Sequence, residues 1–435
     1  MLPTSAEPGA VLLDTRTFRA RFVPPTPHVS RDARKEFETR GWYVRGIIPW
    51  TRSAMADSRY AVLDSWRGIS ACMVALFHFL AYSHITSWKV IQNAYLLVDL
   101  FFVLSGFVIA ANYLSRIAAG FEISRFAMLR FGRIYPLHLV MMLLFIPIEW
   151  AKGIGNGIWR AVGSHAALIH GLGVNDTLQL DFPSWSISSE FAAYLVFAFV
   201  VARFGERLLP WLVPIVVGPL VLGIVAPNGM ESTYDYGFVR CLYGFALGVV
   251  CFDLRERIPA LKRPLGPISD TSIEMLAFAA VIAGLGLIST PHGVAVASPF
   301  LFAVVVLVFA RESGAVSRLL SVRPLLLIGT LSYSIYMVHA LVRALARATA
   351  LALEHRFGWS LFVDAGLSKE GETIRWLWID GSLWLGDLVQ IGMLAATIAL
   401  AVLTHRMIEE PGRRWGRRLA MSTRRNAHLE PKAVA

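Results

Sequence analysis

Charged residues are scarce in this sequence. Asp, Glu, Lys and Arg make up 16% of its 435 residues, whereas 56% of the residues are hydrophobic. An ordinary soluble domain carries about 25% charged residues, and many apolar runs here approach or exceed the roughly 18–20 residues that cross a bilayer. The composition therefore excludes an ordinary soluble protein. It predicts an all-α fold, a polytopic bundle of membrane-spanning helices.

Cysteine is also scarce, and its placement argues against a metal site. Cys72, Cys241 and Cys251 lie within or at the ends of apolar runs, where we expect small buried side chains. No Cys-x-x-Cys pair or Cys/His cluster has the spacing of metal ligands. We therefore expect no bound metal and no permanently bound cofactor.

The sequence lacks the features of a cleavable signal peptide, because its early apolar stretch at residues 10–13 is too short. Residues 1–60 are polar and basic, and we expect a largely flexible cytoplasmic extension. Alternatively, its Trp-containing stretch at 42–50 docks at the membrane surface. Residues 61–412 would form the membrane domain, and 413–435 a basic cytoplasmic tail.

The apolar runs predict about ten spans. They lie at 62–83, 94–114, 134–151, 186–203, 209–226, 237–253, 273–290, 295–311, 324–345 and 387–407. A further stretch, 158–172, is short and interrupted by charged and histidine side chains. If it spanned, the later basic loops and the basic tail would be external, so we expect it to be re-entrant or buried in protein. Both termini are then cytoplasmic, and we predict the inner membrane of a bacterium.

The formal net charge of +11 has a membrane explanation. Basic side chains of membrane proteins gather in cytoplasmic loops and face anionic lipid. We therefore expect membrane lipid, and no nucleic acid, as a partner.

His78 stands out inside the first predicted span. Arg67 and His78 are eleven positions apart, which is about 16 Å along a helix, or roughly half of a bilayer's hydrocarbon core. An ionisable side chain at that depth is costly and indicates a functional site. Histidine is the usual general base at neutral pH. The alternative is a neutral histidine that bonds two helices together.

Several motifs follow one another in a fixed order. They are Arg67 followed by ten residues and His78; 98–107 (VDLFFVLSGF); Arg130 and Arg133 in RFGR; 185–190 (WSISSE); 244–248 (GFALG); 332–339 (SYSIYMVH); and 409–411 (EEP). In combination, this series resembles the acyltransferase-3 family of integral membrane O-acyltransferases, over about residues 59–412.

The resemblance implies transfer of an acyl group, usually acetyl, from a cytoplasmic acyl-CoA donor to a hydroxyl of a carbohydrate or similar acceptor. By resemblance, Arg67 and His78 match the family's Arg-x10-His pair, and Arg130 and Arg133 match its Arg-x-x-Arg pair. The sequence departs from the family at Ser65-Trp66, where many members have Gly-Leu. A transporter or flippase with an intramembrane polar path is the alternative, disfavoured because we find no internal repeat.

Chemistry suggests donor-binding roles for the three arginines. Coenzyme A carries several phosphate charges, which arginine forks bind well. Arg130 and Arg133 are three positions apart in the loop that leads into the third predicted span, and we expect them to share one helical face. Plain positive-inside topology would explain both of them, and Arg67 could instead reach lipid headgroups.

Four further residues are candidates for the site. Glu190 and Asp99 are catalytic candidates in the outer half of the membrane, where either carboxylate could orient His78. For Asp99, a structural pairing with Arg or Tyr is the alternative. Tyr336 and His339 are candidates for binding the acceptor, with packing as the alternative. Ser105 and Gly106 are expected to serve close helix packing.

Overall fold

The computed structural model describes residues 60–151, 158–367 and 373–427. Helices account for 78% of the structure, with almost no sheet. The predicted extension before residue 60, including its stretch at 42–50, lies outside the described residues. All of the predicted motifs lie within them.

Helices of eight or more residues are numbered here in chain order. They are α1 (Ala61–His78), α2 (Leu97–Ala118), α3 (Ile123–Ala151), α4 (Ile158–Ala166), α5 (Trp185–Phe204), α6 (Leu209–Leu220), α7 (Gly237–Arg257), α8 (Pro267–Leu287), α9 (Ser298–Phe309), α10 (Arg323–Thr330), α11 (Ser332–Phe357), α12 (Leu383–Thr404) and α13 (Glu410–Ala427). Shorter α-helices lie at His84–Ser87, Lys89–Gln92 and Ala315–Leu320. The strands β1 (Phe362–Leu367) and β2 (Thr373–Leu377) form an antiparallel hairpin.

The described part of the chain has seven helical segments long and apolar enough to cross a membrane. They are Ala94–Ala118, Ile123–Ala151, Phe182–Phe204, Gly237–Arg257, Pro267–Leu287, Ser332–Phe357 and Leu383–Met421. Two other apolar helical segments, Leu209–Val225 and Gly293–Phe309, are shorter. The helical membrane bundle is therefore present, but the predicted count of about ten spans is not confirmed.

The first predicted span, 62–83, is shorter than expected. Helix α1 ends at His78, and Phe79 is extended. Beyond it the backbone pairs with β2: the Leu377 amide donates to the Leu80 carbonyl at 2.9 Å, and the Tyr82 amide donates to the Leu377 carbonyl at 2.9 Å. His78 is therefore the last residue of its helix and not its centre, because the hairpin takes up the hydrogen bonds that a longer helix would have used.

The predicted span 324–345 is divided at Leu331 into α10 and α11. The cause is close packing of α10 on α1. A Cβ added to Gly68 would lie 2.5 Å from the Gly329 nitrogen, and a Cβ added to Gly329 would lie 2.5 Å from the Asp64 carbonyl oxygen. Only glycine allows two backbones to approach this closely.

Helix α3 begins eleven residues before the predicted start at 134. Arg130 and Arg133 therefore lie inside a helix and not in a loop. Pro136 lies in the helix interior. It packs against α13, where a Cβ on Gly412 would lie 2.5 Å from the Pro136 Cγ.

The stretch 158–172 forms the nine-residue helix α4 and a turn. At about 1.5 Å per residue, α4 is too short to cross a bilayer. His165 and His170 in this stretch are buried.

The basic segment from residue 413 is helical along with the residues before it. Arg413 lies in α13, which the π-helical turn His405–Glu409 joins to α12. Trp415 of α13 contacts Phe131 of α3, with ring centroids 6.4 Å apart. The start of the predicted tail therefore packs against α3.

Helices α2 and α7 make the closest contact in the bundle. A Cβ added to Gly106 would lie 2.0 Å from the Phe245 carbonyl oxygen, and one added to Gly248 would lie 2.0 Å from the Val103 carbonyl oxygen. The predicted packing role of Gly106 therefore has a geometric basis. Small residues of this kind let membrane helices meet backbone to backbone.

A buried ion pair joins the same two helices. The Arg240 Nε donates to Asp99 Oδ1 at 2.9 Å, and its Nη2 donates to Asp99 Oδ2 at 2.7 Å. The guanidinium also donates to the carbonyls of Ser232 and Tyr95. The two side chains are 0% and 2% exposed, so each depends on the other for its hydrogen bonds.

Breaking this pair should destabilise the protein strongly. Asp99→Ala leaves the Arg240 charge buried without its partner, a loss of about 3–5 kcal/mol, which should lower the thermal midpoint of the detergent-solubilised protein by many degrees. The control is Asp176→Ala, which removes the exposed Arg160–Asp176 pair and should leave the midpoint unchanged. Equal midpoints for Asp99→Ala and the native protein would contradict a stabilising role for the buried pair.

Candidate active site

His78 contacts a second histidine. The Nδ1 atom of His78 lies 3.0 Å from the Nε2 atom of His339, and the two rings stack with centroids 5.0 Å apart. His339 is fully buried in α11, and His78 is half-buried at the end of α1. The sequence suggested Glu190 or Asp99 as the group that orients His78, and the acceptor as the ligand of His339. In the structure the two histidines pair with each other.

The hydrogen bonds of the pair determine which nitrogen of His78 carries its proton. His339 Nδ1 lies 2.6 Å from the Tyr336 carbonyl oxygen, which only accepts, so this nitrogen carries a hydrogen. In the neutral ring, His339 Nε2 is then an acceptor and receives the hydrogen of His78 Nδ1. The lone pair of His78 is left on Nε2, where it can take a proton from another molecule. This tautomer is assigned from the hydrogen-bond network.

One cavity lies on the Arg67 side of the histidine pair. It has a volume of about 70 Å³ and is lined by Arg67, Phe101, Arg133, Glu190, Tyr194, Tyr336 and their neighbours. Two predicted donor-binding arginines therefore face the same space. Glu190 faces it too, although the sequence placed this carboxylate on the opposite side of His78 from the arginines.

Glu190 is held by two hydroxyl groups. Its Oε1 atom accepts hydrogen bonds from Ser105 Oγ and, at 2.5 Å, from the Tyr194 hydroxyl. Ser105 lies in α2, so its role extends beyond the packing predicted for it. The two hydroxyls direct the carboxylate of α5 toward the cavity.

Arg130 and Arg133 make different contacts. Arg133 lines the cavity, whereas Arg130 Nη2 donates to the Tyr113 hydroxyl at 3.0 Å and its guanidinium lies over the Tyr113 ring. A separation of three positions turns a helix by roughly 300°, which leaves the two residues about 60° apart around the helix axis. Their side chains nevertheless make different contacts, and of the two only Arg133 lines the cavity.

The other two candidates have structural contacts. Asp99 is paired with Arg240, which is the alternative that the sequence left open. The Tyr336 hydroxyl donates to the Pro183 carbonyl at 3.0 Å and accepts from Ser186 Oγ at 2.8 Å. Tyr336 therefore joins α11 to the start of α5, and it also lines the cavity.

A second cavity lies on the other side of the pair, and the sequence did not suggest it. Its lining includes Leu80, Arg343, Arg347, Phe362 and Arg375. Leu80 follows His78 in the chain, and Arg343 lies one helical turn beyond His339. Along α1 and α11, the two histidines thus lie between residues that line the first cavity and residues that line the second, although neither histidine lines a cavity itself. Charge alone could not reveal the second one, because its three arginines come from α11 and from a hairpin that the sequence left as a loop.

Asp181 is a further residue that the sequence did not single out. It lies in the turn before Phe182–Phe204, is fully buried, and has no hydrogen-bond partner for either carboxyl oxygen in the described part of the chain. Burial raises the pKa of the Asp181 carboxyl well above its usual range.

Three more histidines stack away from this site. His165 and His170 have ring centroids 3.8 Å apart, and His138 lies 5.3 Å from His170. Within the described residues, no group of three or more His, Cys, Asp or Glu side chains has the geometry of a metal site. The stack joins α3, α4 and the turn that follows α4.

The chain is similar in sequence to one protein family and to two known proteins. A family model described as "Acyltransferase domain" matches residues 60–406. "Acyltransferase MdmB" of Streptomyces mycarofaciens is 33% identical over 123 residues, which cover 26% of this chain and 31% of that protein. "Protein 2 in picA locus" of Rhizobium radiobacter is 32% identical over 176 residues, which cover 36% of this chain and 87% of that protein. The match thus spans under a third of the first relative. No solved structure matches significantly.

The tautomer of His78 is directly measurable. With ¹⁵N-labelled histidine in the solubilised protein, we expect NMR to show His78 protonated on Nδ1 and unprotonated on Nε2. His339→Ala removes the acceptor of that hydrogen, so His78 should become a mixture of tautomers. The control is His355→Ala, at an exposed position of the same helix, which should leave the His78 signals unchanged. A native His78 protonated on Nε2 would contradict the assignment.

Proposed function

We propose that this chain, which belongs to the acyltransferase family whose model matches residues 60–406, is an O-acyltransferase acting within the membrane. In this proposal the donor is a cytoplasmic acyl-CoA, with acetyl as the acyl group. The acceptor is a hydroxyl of a carbohydrate or a similar molecule. Both termini would lie in the cytoplasm, and the membrane would be the inner membrane of a bacterium.

One observation carries the proposal: along the chain, His78 and His339 each lie between residues that line the two cavities. Arg67 lines the first cavity and Leu80 the second, on either side of His78, and Tyr336 and Arg343 do the same on either side of His339. Transfer from a donor on one side to an acceptor on the other needs a reacting group that both can approach. We propose that His78 is this group.

His78 would act as the general base. Its Nε2 lone pair takes the proton of the acceptor hydroxyl as that oxygen bonds to the thioester carbonyl carbon. The carbon–sulfur bond then breaks, and the thiolate of the donor receives the proton back from His78. His339 touches no reacting atom in this scheme and is a positioning residue, which holds the Nδ1 hydrogen of His78.

Arg67 and Arg133 would bind the phosphates of the donor. Both line the first cavity, and planar guanidinium groups bind phosphate through paired hydrogen bonds. Arg130, committed to Tyr113, supports α3 in this view and leaves the donor to the other two arginines.

The two acidic candidates divide into different roles. Glu190 faces the two arginines across the first cavity and would order the donor end of the site. Asp99 serves the fold through Arg240. Tyr336 supplies the carbonyl that orients His339, so its contribution to acceptor binding would be indirect.

Loss of the base should abolish transfer without unfolding the protein. His78→Ala should lower acetyl transfer from acetyl-CoA by roughly 10²–10⁴-fold. Product is measured by mass spectrometry on extracts from cells with and without the protein. His355→Ala should retain native activity, and the thermal midpoints of both variants should confirm that they fold. Full activity in His78→Ala would overturn the mechanism.

The two arginines of the Arg-x-x-Arg motif should differ in their effect on donor binding. Arg133→Gln removes a charge that lines the first cavity, so the apparent affinity for acetyl-CoA should fall by roughly tenfold or more. Arg130→Gln should leave donor affinity near the native value and act mainly on stability. Titration of the solubilised protein with acetyl-CoA measures both. A larger loss of acetyl-CoA affinity in Arg130→Gln than in Arg133→Gln would show that Arg130, and not Arg133, binds the donor.

A further inference from the structure

The second cavity has more positive than negative charge. Arg343, Arg347 and Arg375 line it, together with apolar side chains of α11, α12 and the hairpin. Its volume is about 20 Å³, and the exposed Arg347 lies at its rim. An anionic group at the end of a larger ligand would meet the arginines from that rim.

Arg343 is the arginine nearest the histidine pair. It is half-buried, and its guanidinium carbon lies 5.1 Å from the centroid of the Phe182 ring. The same ring contacts His78 edge-on, with centroids 4.9 Å apart. One aromatic ring therefore separates this cation from His78.

The three arginines differ in their counter-charges. Arg375 lies 3.5 Å from a Glu354 oxygen and 4.0 Å from an Asp364 oxygen. Arg343 and Arg347 lie on successive turns of α11 and act on each other as like charges. Across residues 60–151, 158–367 and 373–427, no carboxylate forms an ion pair with either of them. A half-buried cation without a counter-ion is costly unless a ligand supplies one.

We propose that this cavity binds an anionic group of the acyl acceptor, a carboxylate or a phosphate, through Arg343 and Arg347. The acceptor is then an acidic molecule, such as an acidic or phosphorylated sugar. The identification of this ligand as the acceptor rests on the proposed acyl transfer. Binding of an anion at the site does not depend on that function.

The position of the cavity assigns it to the acceptor and not to the donor. Tyr336, His339 and Arg343 follow one another along one face of α11, because they are spaced by three and four positions. Tyr336 lines the first cavity and Arg343 the second. A donor held by Arg67 and Arg133 therefore leaves the Arg343 side of the pair for the other substrate.

The charge of Arg343 also has a chemical consequence. It lies close enough to act electrostatically on His78 and His339. When His78 takes the hydroxyl proton, a second cation forms beside Arg343, and the two repel each other. An anion bound at Arg343 offsets this repulsion, so an acidic acceptor would assist its own deprotonation.

Thermal stabilisation of the solubilised full chain in neutral detergent tests the anion site. The probes are glucuronic acid and glucose 6-phosphate, with glucose as their neutral counterpart. We expect at least one acidic probe to raise the thermal midpoint at concentrations where glucose has no effect. Arg343→Gln should weaken that probe's apparent affinity by roughly tenfold, and Arg343→Lys should retain part of it.

Two further variants keep this test decisive. Arg356→Gln, at an exposed position of the same helix outside the cavity, should leave the probe's effect unchanged. Arg347→Gln, on the exposed rim, should weaken the effect even if Arg343→Gln fails to fold. Equal stabilisation by glucose, or an acidic-probe effect that survives removal of Arg343 or Arg347, would overturn the proposal.

An anionic lipid headgroup could supply the same charge as an acidic acceptor, so a further experiment tests it. The experiment is repeated with phosphatidylglycerol added to the micelles. Stabilisation by this lipid that requires Arg343, with none from either sugar acid, would identify a headgroup site and overturn the acceptor assignment.

A transfer arm separates this inference from the proposed function. With acetyl-CoA as donor, we expect the acidic probe that binds to be acetylated at least about tenfold more efficiently than glucose, and Arg343→Gln to bring the ratio close to one. Equal use of acidic and neutral probes would overturn the acidic acceptor. Absence of any donor consumption would count against acyl transfer, while the thermal test would still decide the anion site.

Discussion

The fold depends on how two charges are buried where water cannot reach them. Asp99 of α2 and Arg240 of α7 satisfy each other between two helices that also meet backbone to backbone at Gly106 and Gly248. Helix α2 also carries Ser105, which donates to the Glu190 carboxylate, and Phe101, which lines the first cavity. One helix therefore carries both the buried pair and part of the candidate site. Burial of charge without such pairing would cost several kcal/mol.

Buried polar or charged groups that lack a partner indicate where a ligand could bind. Most buried polar groups in this chain have partners, as expected where hydrogen-bonding groups leave water. Among the exceptions in the part of the chain that the structure describes, the Asp181 carboxyl precedes Phe182, whose ring contacts His78. Others, such as the Trp66 indole and the Ser298 hydroxyl, lie elsewhere. Arg343 is a different case, because it has hydrogen-bond donors but no counter-ion within the described residues. Stability alone does not explain leaving Asp181 and Arg343 unsatisfied. They are where a ligand would have the largest effect.

The sequence predicted the class of fold and two arginines that line the first cavity. It did not predict which distant side chains contact each other. Hydrophobic runs indicated a helical membrane bundle, and motif spacing singled out Arg67, His78 and Arg133. The partners could not be predicted, because His78 and His339 are separated by 261 positions and Asp99 and Arg240 by 141. The helix ends at 78 and 331 were missed for a related reason. Each is set by packing against a distant segment and not by local composition.

Helix α11 also fixes the distance between the two cavities. Arg343 is seven positions after Tyr336, which is about 10 Å of rise and nearly two full turns, so both side chains return to the same side of the helix within roughly 20°. Because the helix is rigid, the distance between the two cavities depends on the number of residues between Tyr336 and Arg343. Adding or removing one residue there would rotate one end by about 100° relative to the other. Among related chains, this stretch should therefore vary in side chains but not in length.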